Sequence, residues 1–155
     1  MGYVERSLMP TEEILHKAKV HWIIYLYGIV LVSVGVYFFN ASVDEKDGAI
    51  LGLTGVAIAI LGIFQLIKSF IYHISTELVI TNKRIFAKFG FIKRESLELS
   101  HKKVESLFVK QSILERIFNA GSIVVQGTGG GKIPIPSISK PLVFRRNAME
   151  IIESD

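Results

Sequence analysis

The 155-residue chain contains no cysteine and a single tryptophan. Without thiols it can build neither a disulfide framework nor a thiolate metal site, and it offers no cysteine nucleophile. Charge is scarce as well: Asp, Glu, Lys and Arg make up 21% of the residues, half of the residues are hydrophobic, and the mean hydropathy is positive. That is greasier than a soluble domain of this size. The scarcity is also local, because residues 22–39 and 49–67 hold no charged side chain at all. At ~1.5 Å per residue, each run is long enough to cross a ~30 Å hydrocarbon core. Neither shows the polar face that a helix of a soluble bundle requires. The two runs are therefore expected to form a transmembrane hairpin. A cleaved leader is not expected, since roughly twenty residues of mixed charge precede the first run, which is itself longer than a usual signal core.

The cations set an expected topology. Lys17 and Lys19 stand just before the first apolar run and Lys68 just after the second, whereas residues 40–48 between the runs carry Asp44, Glu45 and Asp47 against Lys46 alone. By the positive-inside rule both termini lie in the cytoplasm. The expected division is an N-terminal segment at 1–21, a membrane hairpin at 22–69 and a cytoplasmic domain at 70–155. From residue 68 onward there are 14 Lys and Arg against 8 acidic residues, a net charge of +6. A tail of that charge tethered beside anionic headgroups is drawn to them by about 1 kcal/mol per well-placed cation.

Within the second run Gly52, Gly55, Ala59 and Gly62 recur at spacings that put small residues along one helix face. Such a stripe lets backbones approach closely. Its partner is either the first span of the same chain, through Gly28 and Gly35, or a second copy.

Outside the runs the pattern is that of short strands. Residues 1–21 look extended and amphipathic, a lead-in strand that pairs with the later domain. After Ile71 the periodicity changes to β-branched and aromatic segments divided by turn signals. Strands are expected at 76–81 and 84–89 around a two-residue loop, Asn82-Lys83, then at 93–99 and 104–110 as a second pair joined through Ser100, His101 and Lys102. Ser112 with Glu115 forms a capping box for a short helix whose apolar face is Ile113, Leu114, Ile117 and Phe118, and Gly121 stands where a left-handed cap is wanted. Strands at 122–126 and 132–138 flank a glycine turn, with Pro134 and Pro136 assigning the latter to an edge. A last helix from about Lys140 to Glu153 carries Phe144, Ala148, Ile151 and Ile152 on one stripe and closes the open face of the sheet.

Catalytic chemistry is hard to find in this inventory. The string Gly127-Thr128-Gly129-Gly130-Gly131-Lys132 is one residue short of a phosphate loop, lacks its hydroxyl at Ile133 and runs into Pro134 where a helix would start, so it reads as a hairpin turn. Histidines 16, 21, 73 and 101 have no ligand spacing and no carboxylate cluster. No nucleophile elbow or catalytic triad is present. Neither an enzyme nor a cofactor or metal is expected. What remains is a set of basic groups: Lys83, Arg84 and Lys88; Lys93 and Arg94; Lys102 and Lys103; Arg145 and Arg146. Each alone is a solvated face; together they are candidates for contact with anionic headgroups or an acidic partner. Nucleic acid is disfavoured because no exposed aromatics interleave with these cations.

The order of elements and several strings, among them TELVITNKRIFAKFGFI and LELSHKKVESLFVKQSILERIFNAGSIVVQGTGG, resemble the membrane-anchored bacterial pleckstrin-homology-like (PH-like) domain family. The most specific parts are Ile80 to Arg84, Val104-Glu105-Ser106, and Gln111-Ser112 through Gly121 to Gly130. The resemblance covers nearly the whole chain. It implies an α+β, mainly antiparallel domain of two sheets with a C-terminal capping helix, following a two-helix transmembrane hairpin and held at the inner leaflet of the bacterial cytoplasmic membrane. It also implies a non-catalytic role. The chain departs from eukaryotic PH domains in having Phe144 and no Trp in the last helix, and a first hairpin loop too short for an inositol-phosphate pocket. The expected function is a scaffolding module that organises a protein partner or homo-oligomer at the membrane. The alternative is a small accessory subunit of a transport or export complex that acts through its hairpin.

Overall fold

Strand β1, Ile14–Ala18, finds its partner on the far side of both apolar runs: it pairs antiparallel with β2, Glu77–Thr81, with Ala18 opposite Leu78. The lead-in strand expected from the alternation of residues 14–20 is therefore an integral strand of the sheet. The computed structural model describes residues 7–43, 48–89 and 95–153. It divides the chain into a hairpin, Ile24–Ile74, and a β unit assembled from the residues before and after it. The hairpin is an insertion in the connection between two adjacent strands. Asn82-Lys83 consequently turns the second β connection of the domain; the first is the hairpin itself, which corrects the expectation of a short first loop.

In the hairpin, a 3-10 turn at Trp22–Tyr25 leads into α1, Leu26–Val43, and α2 runs over Ala49–Ser75. Both helices are long and apolar enough to cross a membrane. The α2 helix continues well past Ile67, because residues 68–75 contain neither glycine nor proline to stop it. The acidic connection at 44–47 lies outside the described residues. Gly28 and Gly35 of α1 and Gly55 and Gly62 of α2 are buried. A methyl group on Gly35 would sit 2.6 Å from the Gly55 carbonyl oxygen and 2.5 Å from the Ala59 nitrogen, so the backbones touch where side chains are missing. Near the other end the Ser69 hydroxyl donates to the Ile24 carbonyl at 2.9 Å.

The β unit holds two antiparallel sheets. One has the order β1-β2-β3-β4, with β3 at Arg84–Phe89 and β4 at Glu95–Ser100; the other is β5-β6-β7, with β5 at Val104–Lys110, β6 at Ala120–Gly127 and β7 at Lys132–Ser139. The strands expected at 93–99 and 104–110 exist, but they are not partners: β4 bonds to β3 and β5 to β6. A 3-10 turn at His101–Lys103 carries the chain from one sheet to the other. The sheets are joined at the opposite corner, where His21 N–H donates to Ser137 O and Ser139 N–H to Lys19 O. Among the described residues the β4/β5 corner stays open.

Alternation explains the core. Leu78 and Ile80, Ile85 and Ala87, Leu107, Ile123 and Val125, and Ile135 and Ile138 point between the sheets, and Phe144 and Ala148 close the space from helix α4, Pro141–Glu153. Each large side chain here contributes about 1.5–3 kcal/mol by leaving water. The outer face of the first sheet is buried too: Val79 and Phe86, opposite in register, are covered by Leu8 and Ile14. Pro134 and Pro136 lie on β7, an edge strand.

The capping box forms as expected: Ser112 Oγ accepts from Glu115 N–H, and the Glu115 carboxylate accepts from Ser112 N–H at 2.9 Å, opening helix α3, Ile113–Ile117. Its end differs. The left-handed residue is Asn119, with φ 55°, and not Gly121, which already lies in β6. Glycine is needed at 121 for closeness, since a Cβ would meet the Lys110 carbonyl oxygen at 2.9 Å. The glycine string forms the β6–β7 hairpin turn, with Gly130 at φ 76° and its N–H donating to Gly127 O.

Candidate interaction surface

The basic residues separate into spent and exposed ones. Arg84 is spent. Its Nε–H and Nη2–H donate to the two oxygens of Glu12 at 2.9 and 2.8 Å, Nη1–H donates to Glu98 at 2.9 Å, and the guanidinium lies 4.4 Å from the centre of the Phe86 ring. The side chains of Glu12 and Arg84 are 0% and 17% accessible, so this pair ties the N-terminal segment over the sheet and presents little charge outward. Bonding to Arg84, first of all, holds the Glu12 carboxyl far below its ordinary value of 4.5, at about 2, against the opposing effect of burial. The same bond raises Arg84.

Lys83, in the tight turn, donates to Thr11 Oγ1 at 2.6 Å and remains exposed. Lys88 is half-buried on β3. Lys102 and Lys103 are exposed on the turn between the sheets, where Lys103 O accepts from Thr128 N–H. Arg145 and Arg146 project from α4 and line, with Leu142, Met149, Glu150 and Glu153, a shallow depression of about 500 Å³. Lys93 and Arg94 lie outside the described residues.

A further group was not evident as a cluster in the sequence. Lys17 and Lys19 of β1 and the residue that follows it, together with Lys140 before α4, line a second depression of about 290 Å³ with His16 and Phe144. The His16 ring packs on Phe144 at 5.4 Å. The signal available was the alternation of residues 16–20, which puts both lysines on one side of β1.

Among the described residues of the β unit, reactive groups are dispersed. Among the described residues no three His, Asp or Glu side chains converge as a metal site would require. The four histidines are dispersed: His21 Nδ1 accepts from Ile23 N–H, His73 pairs with the Tyr25 hydroxyl at 3.2 Å, and His101 is buried in the turn between the sheets.

The sequence profile of the bacterial PH domain family matches residues 22–150, a stretch that begins after β1. No curated protein and no solved structure matches the chain.

Proposed function

The chain belongs to the bacterial PH domain family, and from that premise we propose that it is a non-catalytic, membrane-anchored binding module. In this reading the hairpin spans the bacterial cytoplasmic membrane with both termini inside, and the β unit organises a protein partner or a homo-oligomer while exposed cations meet anionic headgroups. The observation that carries it is the insertion of the hairpin between β1 and β2. Only residues 19–21 and Thr76 separate strands from helical turns. At no more than ~3.6 Å per residue, such connections leave the β unit little reach away from its anchor. Its cations then work at high effective concentration against the headgroup layer.

Lys102, Lys103, Arg145 and Arg146 are the contacts we favour, with Lys17, Lys19 and Lys140 added to them; Arg84 is removed by its ion pairs. The reading of the chain as a transport subunit acting through its spans gains less support, since Gly28, Gly35, Gly55 and Gly62 are already taken up within the hairpin.

The test is purification of the full-length protein from its own membrane in mild detergent, with identification of everything retained. A partner lost when Lys102, Lys103, Arg145 and Arg146 are all changed to Glu, while the protein still fractionates with the membrane, supports the module. A partner kept in that variant but lost when the outward-facing Ile60 and Phe64 are changed to Ala moves the function into the hairpin.

A further inference from the structure

Helix α3 buries none of its residues. Ile113 is 82% exposed and Ile117 70%, with Leu114 and Phe118 also open to the surroundings. A contiguous apolar surface of this kind marks a contact site. The segment is also well defined: the Ser112–Glu115 capping box satisfies both of its reciprocal bonds, and Asn119 turns the chain straight into β6.

The neighbour of this patch identifies its occupant. Phe118 meets the edge of Trp22 at 5.4 Å between ring centres. Trp22 is itself half exposed and is the first residue of the apolar stretch that continues through α1. Indole rings favour the boundary between headgroups and acyl chains. Within the β unit the apolar side chains that follow α3's first turn thus reach, through Phe118, the residue at which that apolar stretch begins. The rim of the patch is cationic, with exposed Lys110 before the helix and exposed Arg116 within it, while the carboxylate of Glu115 is occupied in the cap.

We propose that α3, Phe118 and Trp22 form a lipid-docking element that enters the headgroup and acyl boundary of the membrane crossed by the hairpin. Ile113, Leu114 and Ile117 take the place of an amphipathic anchor, and Lys110 and Arg116 pair with lipid phosphates. This rests on the reading of the hairpin as a span. It adds to that reading a second, non-spanning contact that orients the β unit on the bilayer.

The absence of cysteine makes single-site labels unambiguous. Full-length protein carrying Ile117→Cys, Phe64→Cys or Thr128→Cys, each with an environment-sensitive fluorophore, is reconstituted in vesicles of phosphatidylethanolamine and phosphatidylglycerol. The vesicles include lipids brominated at shallow or deep acyl carbons. An element docked about 5–10 Å into the boundary gives a blue-shifted label at 117, quenched several-fold more by the shallow brominated lipid than the label at 128 and protected from iodide. The label at 64 responds to the deep brominated lipid. A label at 117 that behaves like the one at 128, with 64 quenched, overturns the docking element and leaves the span standing. One at 117 shielded from both bromine and iodide overturns it as well, in favour of a protein occupant. Absence of quenching at 64 removes the span and the docking element together.

Discussion

The hairpin and the β unit obey opposite rules. In the hairpin many outward side chains are large and apolar, Ile50, Leu53, Ile60 and Phe64 among them, and the residues buried between the helices are glycines and Ser69, with Leu66 and Val32 packed against Gly28 and Gly62. In the β unit Leu, Ile, Val and Phe are inside and the cations outside. Burial of apolar surface organises the second; close backbone approach organises the first, a strategy that works where the surroundings are as apolar as the outer side chains. Helix α3, where the apolar side chains of Ile113, Leu114, Ile117 and Phe118 all face outward, is a part of the β unit that follows the rule of the hairpin, and this is why it reads as a contact with the same surroundings.

Gly35→Leu breaks the comparison on the hairpin side. Because the new side chain would run into the backbones of Gly55 and Ala59, its cost exceeds the ~1–3 kcal/mol of an overpacked core. Loss of the folded hairpin is expected, seen as aggregation on size-exclusion chromatography in detergent. Gly52→Ala meets only the Ser42 side chain and should leave the profile unchanged. The next largest effect belongs to the other rule. Phe144, 2% exposed, should cost about 3–5 kcal/mol when changed to Ala, whereas Phe64→Ala in the hairpin should leave thermal stability in detergent within error. Equal effects at the two phenylalanines would erase the distinction.

This contrast also explains what the sequence disclosed. Charge-free runs, the Ser112–Glu115 box and the prolines of β7 are local signals, and the structure contains the corresponding elements. Pairing is not local. Nothing in residues 93–110 says that β4 and β5 belong to different sheets, because either pairing satisfies the same alternation. Gly121 carried a capping signal that Asn119 took over, since both residue types tolerate φ > 0 and only one is close-packed against Lys110. Arg84 looked like one cation of a basic group; its partner, Glu12, is separated from it by the whole hairpin. An arginine flanked by Lys83 in a turn gives no sign of such a partner, so the candidate surface was legible only as a list of cations from which the structure withdraws one.

Glu12→Gln tests that withdrawal. It leaves Arg84 without its main counter-charge at a nearly dry site, and a loss of about 3 kcal/mol is expected. Because the Glu12 carboxyl is depressed to about 2 when folded, its contribution is present in full above the unfolded value near 4.5 and fades as the pH falls toward 2. The gap in unfolding free energy between the native protein and the variant should accordingly be widest at neutral pH and shrink between pH 5 and pH 2, values that bracket those two titrations. A gap independent of pH would mean that the carboxylate charge contributes nothing and that packing over the sheet alone holds residues 7–14.

Ser112→Ala should have the smallest effect, and it addresses where the two rules meet. Loss of an N-cap costs about 1 kcal/mol. In α4, backed by Phe144 and Ala148 in the core, such a loss would be absorbed into global stability. In α3, with no buried side chain of its own, the cap is a large share of what keeps the turn helical. The expected result is an unchanged melting temperature with faster amide exchange confined to residues 113–118 in detergent. If lipid covers the apolar face, transfer of the variant into bilayers restores protection there, because burying Ile113 and Ile117 outweighs the missing cap. Exchange that stays fast in the bilayer would place α3 in water and return it to the rule that governs the rest of the β unit.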